Sequence, residues 1–364
     1  MQNNDTDLDQ SPQPTAPIPG FFSIILKNFS IIIIIGLAIY FVIPQIASLQ
    51  KNIVVVRSLK FWAVGLAVIA QLTSYFGSGF TIKALVRSAH RYISIFRAMM
   101  ITLSSTSIGL VAGGMFGAAA ATFRWVKASG GGNQGASLSA TMPPLLIDLV
   151  LLVVSLIGII QLFFKHDLTG LQITSFAFIT FLLLIVSTAL FFGIKYRERS
   201  KVFGFQIVSK VFKILRKTID KKLIDHEFDR LFKTWDTLLA GGWKAPLLGA
   251  GINIIFDMTT IFFIFRGAGI AIPLGILITG YGLPILFGKM AFIIPGGIGV
   301  IETTMIGLYA NLGIPLQAAT IVVLVYRFIS FWTPLLVGFV LIPFVSKTPN
   351  NRFTKVSESG HLDT

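Results

Sequence analysis

Apolar residues run through this chain in long blocks, separated by short polar or glycine-rich stretches. The blocks fall at about 29–49, 60–82, 94–127, 137–163, 170–194, 244–265, 270–312 and 316–344. Each is long enough to cross a bilayer, which takes a helix of roughly 20 residues. Two blocks, 94–127 and 270–312, are too long for one crossing and are broken near the middle, by Gly113-Gly114 and by Pro295-Gly296-Gly297. The pattern predicts an all-α polytopic membrane protein. It has about six full transmembrane helices and two glycine-broken re-entrant hairpins, about eight hydrophobic segments in all.

Composition agrees. The chain is 54% hydrophobic and 12% charged, with mean hydropathy +0.81, too little polar surface for a soluble domain. The net charge of +15 would point to nucleic acid in a soluble protein. Here the basic residues lie mostly between apolar blocks, where they set topology and meet anionic lipid, so no nucleic-acid partner is expected. There is no cysteine, and His90, His166, His226 and His361 are scattered. No metal site is expected, no cofactor, and no nucleotide motif of the GxxxxGK[ST] type occurs.

Charge placement orients the chain. With the N-terminus inside and the hairpins entering from opposite sides, Lys51, Arg57, Lys60, Lys165 and Arg266 fall outside, and Lys289 and Arg327 sit at membrane depth. Of the 30 Lys and Arg residues this leaves 23 on cytoplasmic segments, a strong positive-inside asymmetry. Both termini are expected in the cytoplasm. Residues 1–20, polar, acidic and proline-rich, read as a disordered tail, and 346–364 as a second. With no basic residue before Lys27, the first block reads as a retained signal anchor and not a cleaved signal peptide. The membrane domain spans 21–345, with halves 21–194 and 244–345 around a basic segment, 195–243. Within that segment Val208, Val211, Phe212, Leu215, Ile219, Leu223 and Ile224 recur at helical spacing opposite Lys210, Lys213, Arg216, Lys217, Lys221 and Lys222. Such a helix lies in the cytoplasmic interface; a plain topogenic linker is the alternative.

A shift of 183 residues aligns 113–136 with 296–319 without gaps and matches Gly113, Gly114, Gly130, Gln134 and Ala136 with Gly296, Gly297, Gly313, Gln317 and Ala319. The shift is about half the chain and pairs a hairpin from one side with one from the other, the pattern of an inverted-repeat transporter. Two unrelated glycine-bent helices would give the same local sequence.

Candidate chemistry sits in the second break. Backbone polar groups cannot be left unpaired against lipid, so Pro295, Gly296 and Gly297 must line protein or a wet cavity. A helix restarting near Gly299 offers free N–H groups and the positive dipole end to an anion. A bulky side chain at Gly297 is expected to intrude on that cavity and not on a packed interface. Glu302, three residues past Gly299, either caps its own helix or serves function, as intramembrane carboxylates commonly do. Arg327, mid-block in the next segment, is its available partner and has donors to spare for a phosphate; a purely structural ion pair is the competing account. Asn253 and Asp257, four apart on one helical face, with Lys289 and Asp148, are secondary polar candidates. No residue is assigned a catalytic role.

PGGIGVIE, then LGIP, Ala318-Ala319 and Tyr326-Arg327 resemble the flippase-like transmembrane domain of lysylphosphatidylglycerol synthases, best over 244–345. The resemblance implies a cytoplasmic (inner) membrane protein of a prokaryote that moves or handles anionic phospholipids or other lipid-linked anions. In family members that lysylate lipid, a soluble aminoacyl-transferase domain follows this module. About twenty residues follow the last block here, so a stand-alone member without that activity is expected. The leading expectation is therefore a lipid flippase whose partners are membrane lipids. The alternatives are an intramembrane enzyme acting on a phospholipid or polyprenyl phosphate, with Glu302 as its base, and a non-catalytic membrane partner of a separately encoded enzyme.

Overall fold

The computed structural model describes residues 59–111, 114–165, 242–290 and 295–346, with Thr174, Phe181, Tyr196 and Asp236 as single positions. The predicted blocks 29–49 and 170–194, the basic segment 195–243 and the two tails lie outside the described residues, those single positions and segment edges apart. The described residues form helices and turns, with no strand among them.

Among the described residues nine helices follow one another: α1 Phe61–Ser88, α2 Ile95–Val111, α3 Met115–Val126, α4 Gly132–Lys165, α5 Lys244–Gly267, α6 Leu274–Met290, α7 Val300–Asn311, α8 Leu316–Arg327 and α9 Thr333–Ser346. Wide π-type turns, Lys127–Gly131 and Phe328–Trp332, join α3 to α4 and α8 to α9. Among the described residues four helical runs, Phe61–Ser88, Met115–Phe164, Lys244–Gly267 and Leu316–Ser346, are long and apolar enough to cross a membrane. The surface agrees with a lipid environment. Phe61, Phe116 and Phe164 point outward, while Gln71, Ser74, Thr81, Glu302 and Arg327 are buried, the reverse of a water-soluble protein.

The first three helices of 61–165 have counterparts in the same order over 244–346, where α8 and α9 with their wide turn follow in place of the single long α4. α2 and α6 each have 17 residues, and α3 and α7 each have 12. The long leading helices α1 and α5 close in the same way. After α1, the N–H of Arg91 returns to the Val86 carbonyl over His90; after α5, the N–H of Ile270 returns to the Phe265 carbonyl over Gly269. Both turning residues have positive φ, 56° and 79°, as this closure requires.

α1 and α5 lie antiparallel with their backbones in contact. Lys60 N–H donates to the Gly267 carbonyl (3.1 Å) at one end, and Thr81 Oγ1 donates to the Pro246 carbonyl (3.3 Å) at the other. Glycine makes this possible. A Cβ on Gly77 would stand 2.6 Å from the Asn253 nitrogen, and one on Gly249 2.8 Å from the Thr81 nitrogen. The same packing puts Lys60 and Arg266 at one end of the molecule and Lys83, Arg87 and Lys244 at the other.

Each broken segment leaves one end of the molecule and comes back to it. α2 and α3 pack together, and Arg97 at the start of α2 donates to Ser129 Oγ just beyond α3 (3.0 Å). α6 and α7 likewise run back to back: Tyr309 OH donates to the Leu277 carbonyl (3.2 Å), and side chains at Gly280 and Gly288 would strike Tyr309 and Ile301. The two returns lie at opposite ends, because α2 follows the Lys83 end of α1 and α6 follows the Arg266 end of α5. The last helix of each half then packs on the broken segment of the other. Gly158 and Ser155 of α4 meet Thr279 and Gly282 of α6, and Gly338 of α9 meets Leu103 and Ser107 of α2.

Candidate functional site

Local sequence dictates the second break. Gly296, Gly297 and Gly299 have φ of 66°, 60° and 83°, and no side-chained residue adopts three such conformations within four positions without strain. They turn the chain through the short helical turn Pro295–Gly297 and into α7. Glu302 is the third residue of α7. Its Oε2 accepts the Gly299 N–H at 2.7 Å, and its Oε1 accepts Arg327 Nε at 2.7 Å. The two accounts of this carboxylate, helix cap and ion-pair partner, therefore hold together, one oxygen each. Both residues are almost fully buried, Glu302 at 4% and Arg327 at 6% exposure.

Arg327 ends α8. Its guanidinium lies 4.2 Å from the centre of the Phe331 ring, one turn on, and Nη2 stands a long 3.4 Å from the Gly296 carbonyl. Among the described residues nothing accepts from Nη1. Phe331 also covers Gly296, where a Cβ would come within 2.6 Å of its ring, and Leu110 at the end of α2 would lie 3.5 Å from the same atom. The ends of the two broken segments thus meet beside Arg327. The wide turn after Arg327 has a local cause. Pro334 has no N–H for the Ser330 carbonyl four residues back, and Tyr75 OH of α1 takes that carbonyl instead, at 2.7 Å.

A second polar cluster adjoins the first. Asp257 Oδ2 on α5 accepts from Tyr281 OH of α6 (2.7 Å) and from Tyr326 OH of α8 (2.8 Å). Tyr326 precedes Arg327, so one turn of α8 serves both carboxylates.

Residues 31–338 match the family described as the Lysylphosphatidylglycerol synthase TM region. The chain belongs to this family. No curated protein matches the chain. The family match begins in the first predicted block and ends at residue 338, so it extends over the first half as well as most of 244–345. With the four apolar runs, membership makes the chain a multi-pass membrane protein linked to lipid handling.

The remaining candidates of this TM region separate. Asn253 holds helices together: Nδ2 donates to the Ser74 carbonyl (3.1 Å) and to Ser74 Oγ (2.9 Å), while Ser74 Oγ donates to the Asn253 carbonyl (2.9 Å). Lys289 and Asp148 form an ion pair between α6 and α4, both partly exposed. Two expectations change. The Gly299 N–H is not free for a ligand, because Glu302 occupies it. Gly297 does not face a cavity: it is buried, and a Cβ there would lie 3.0 Å from Ile301 and 3.1 Å from the Gly288 Cα, inside the α6–α7 contact. Gly296 and Gly299 are the exposed glycines of the turn.

The sequence reading passed over Gln71, Tyr75, Tyr281 and Phe331. A signal for the tyrosines was present. Tyr75, Tyr281, Tyr309 and Tyr326 all lie in apolar blocks, and a buried tyrosine hydroxyl needs a partner.

Proposed function

We propose that the protein moves anionic phospholipids, or other lipid-linked anions, between the leaflets of the membrane. The observation that carries this reading is Arg327. Glu302 holds the Nε edge of its guanidinium, Phe331 covers one face, and the Nη1 edge has no acceptor among the described residues, at the point where the two broken segments meet. A guanidinium held in place with donors to spare is suited to a phosphodiester. In this reading 94–127 and 270–312 are re-entrant hairpins from opposite sides, the halves 21–194 and 244–345 form an inverted repeat around six crossings, and both termini are cytoplasmic. Pro295, Gly296 and Gly299 line the approach, with Gly297 shaping the turn. Opposed hairpins with a shared charged site at mid-depth are suited to alternating exposure of that site. The protein acts on the lipid without chemistry, with the cytoplasmic membrane of a prokaryote as its place.

Reconstitution decides it. The full chain in liposomes is expected to equilibrate fluorescent phosphatidylglycerol between leaflets, read as the fraction bleached by an impermeant reductant, and Arg327→Lys is expected to slow it. Bleaching no faster than in protein-free liposomes ends this reading. Headgroup turnover in detergent would put the intramembrane enzyme in its place.

A further inference from the structure

With Arg97 and Arg124 at the cytoplasmic base of the first hairpin, as in the proposed topology, the charges at membrane depth do not balance. Asp148, Asp257 and Glu302 stand against Lys289 and Arg327, and the predicted spans 29–49 and 170–194 contain no Asp, Glu, Lys or Arg. Lys289 neutralises Asp148, and Arg327 neutralises Glu302. An ionised Asp257 therefore leaves one negative charge in excess inside the membrane, where an unpaired charge is costly.

The surroundings of Asp257 suit a carboxyl group that takes up a proton. Tyr281 and Tyr326 both donate to Oδ2, which leaves Oδ1 for the proton. Gln71 of α1 turns its amide N–H toward the same carboxylate. Its side chain is buried at 4% exposure, and its Oε1 has no hydrogen-bond partner among the described residues. In this orientation a carboxylate can give that oxygen nothing; with the amide turned over, a carboxylic acid donates to it from Oδ1. The other groups facing Asp257 are Tyr75 of α1 and Arg327 of α8. From α4, which also packs on α5, the titratable residue within the membrane is Asp148, already paired.

We propose that Asp257 is a proton site linked to anion binding at Arg327, so that each lipid anion crosses with a proton. The proposal rests on the lipid-transport reading for the word "crosses"; the linkage itself does not. Arg327 is already neutralised, so an arriving phosphodiester adds a second negative charge beside ionised Asp257. Protonating Asp257 removes that repulsion. By reciprocity, anion binding raises the proton affinity of Asp257, and protonation raises anion affinity. Affinity is therefore highest at low pH and falls as pH rises through the titration of Asp257. The proton joins Oδ1 as the anion binds and leaves when the anion does; no bond in the lipid breaks.

The test uses the full chain in detergent with short-chain phosphatidylglycerol, whose phosphodiester does not itself titrate over the range. Affinity is measured between about pH 5 and pH 10, and a one-proton linkage makes it fall by up to about tenfold per pH unit. Asp257→Asn, which keeps both tyrosine bonds and can donate to Gln71, is expected to bind with the high affinity of the acid form at every pH. Wild-type affinity as flat with pH as that of Asp257→Asn overturns the proposal, and so does a wild-type slope that survives in Asp257→Asn. A second arm applies a pH gradient to liposomes. Movement from the acidic side is expected to be faster for wild type and indifferent to the gradient for Asp257→Asn. Linked binding without lipid movement would overturn the transport reading and leave the proton site standing. Lipid movement with flat binding would do the opposite.

Discussion

Ser74 and Asn253 hold each other by both backbone and side chain, the serine hydroxyl donating to the Asn253 carbonyl while the Asn253 amide donates to the Ser74 carbonyl and hydroxyl. The joint ties α1 of the first half to α5 of the second. Asn253→Ala removes two donated bonds, each contributing about 1 kcal/mol. A lower melting temperature in detergent is expected, with unchanged lipid movement per folded molecule. Loss of movement at full stability would return Asn253 to the candidate site.

Glu302 bonds two partners with two oxygens, so its variants should differ in kind. Glu302→Ala leaves Arg327 buried and unpaired, at roughly 3–5 kcal/mol. Glu302→Gln has one carbonyl oxygen and can keep the Gly299 bond or the Arg327 bond, not both; a folded protein with impaired lipid movement is expected. Glu302→Ala/Arg327→Ala should regain stability and stay inactive. Full movement by Glu302→Gln would reduce the carboxylate to a helix cap.

Gly297 and Gly299 share a left-handed backbone and differ in neighbours. Alanine at either position carries a strain of roughly 1–3 kcal/mol. Gly297→Ala also presses on Ile301 and Gly288, whereas a Cβ on Gly299 meets nothing within 4 Å. The melting temperature of Gly297→Ala is expected to fall further than that of Gly299→Ala. Equal falls would mean that backbone strain alone accounts for both glycines.

Orientation can be read with single cysteines, because the chain has none of its own. Tyr92 is 70% exposed at the α1–α2 turn, and Ala271 is exposed at the α5–α6 turn. Ala271→Cys is expected to react with an impermeant maleimide on intact cells, and Tyr92→Cys only after lysis. The reverse pattern would turn the topology over.

Much of this was legible in the sequence because the signals are local. Glycine and proline inside an apolar run mark a break wherever it occurs, so helices end near Gly113-Gly114 and Pro295-Gly296-Gly297. Glu302 and Arg327 pair because few charges are present to choose among. What was not legible depends on which helix faces which. Gly297 looked available in sequence, yet the return of α7 along α6 buries it. Asp148 and Lys289 lie 141 positions apart, and no periodicity links them. The gapless shift of 183 set Glu302 against Ala119, whereas counting from the helix starts at Val300 and Met115 sets it against Gly117. The loops of the two halves differ in length, and an ungapped comparison cannot register that. Pro334 did carry a readable cue to the wide turn behind Arg327, but the partner that claims the released carbonyl, Tyr75, lies in the other half.

The glycine contact between α1 and α5 also limits how the molecule can move. With Gly77 against the Asn253 nitrogen and Gly249 against Thr81, sliding one helix along the other by even a residue would drive side chains into backbone. The pair acts as an axle: it permits a small roll and forbids a piston stroke. In the proposed transport, any exchange of the Arg327 site between the two faces must then come from the paired short helices and their clasping partners, α4 and α9, swinging about a fixed centre. A cross-link locking α1 to α5 should leave that swing intact, whereas one joining α9 to α2 should arrest it.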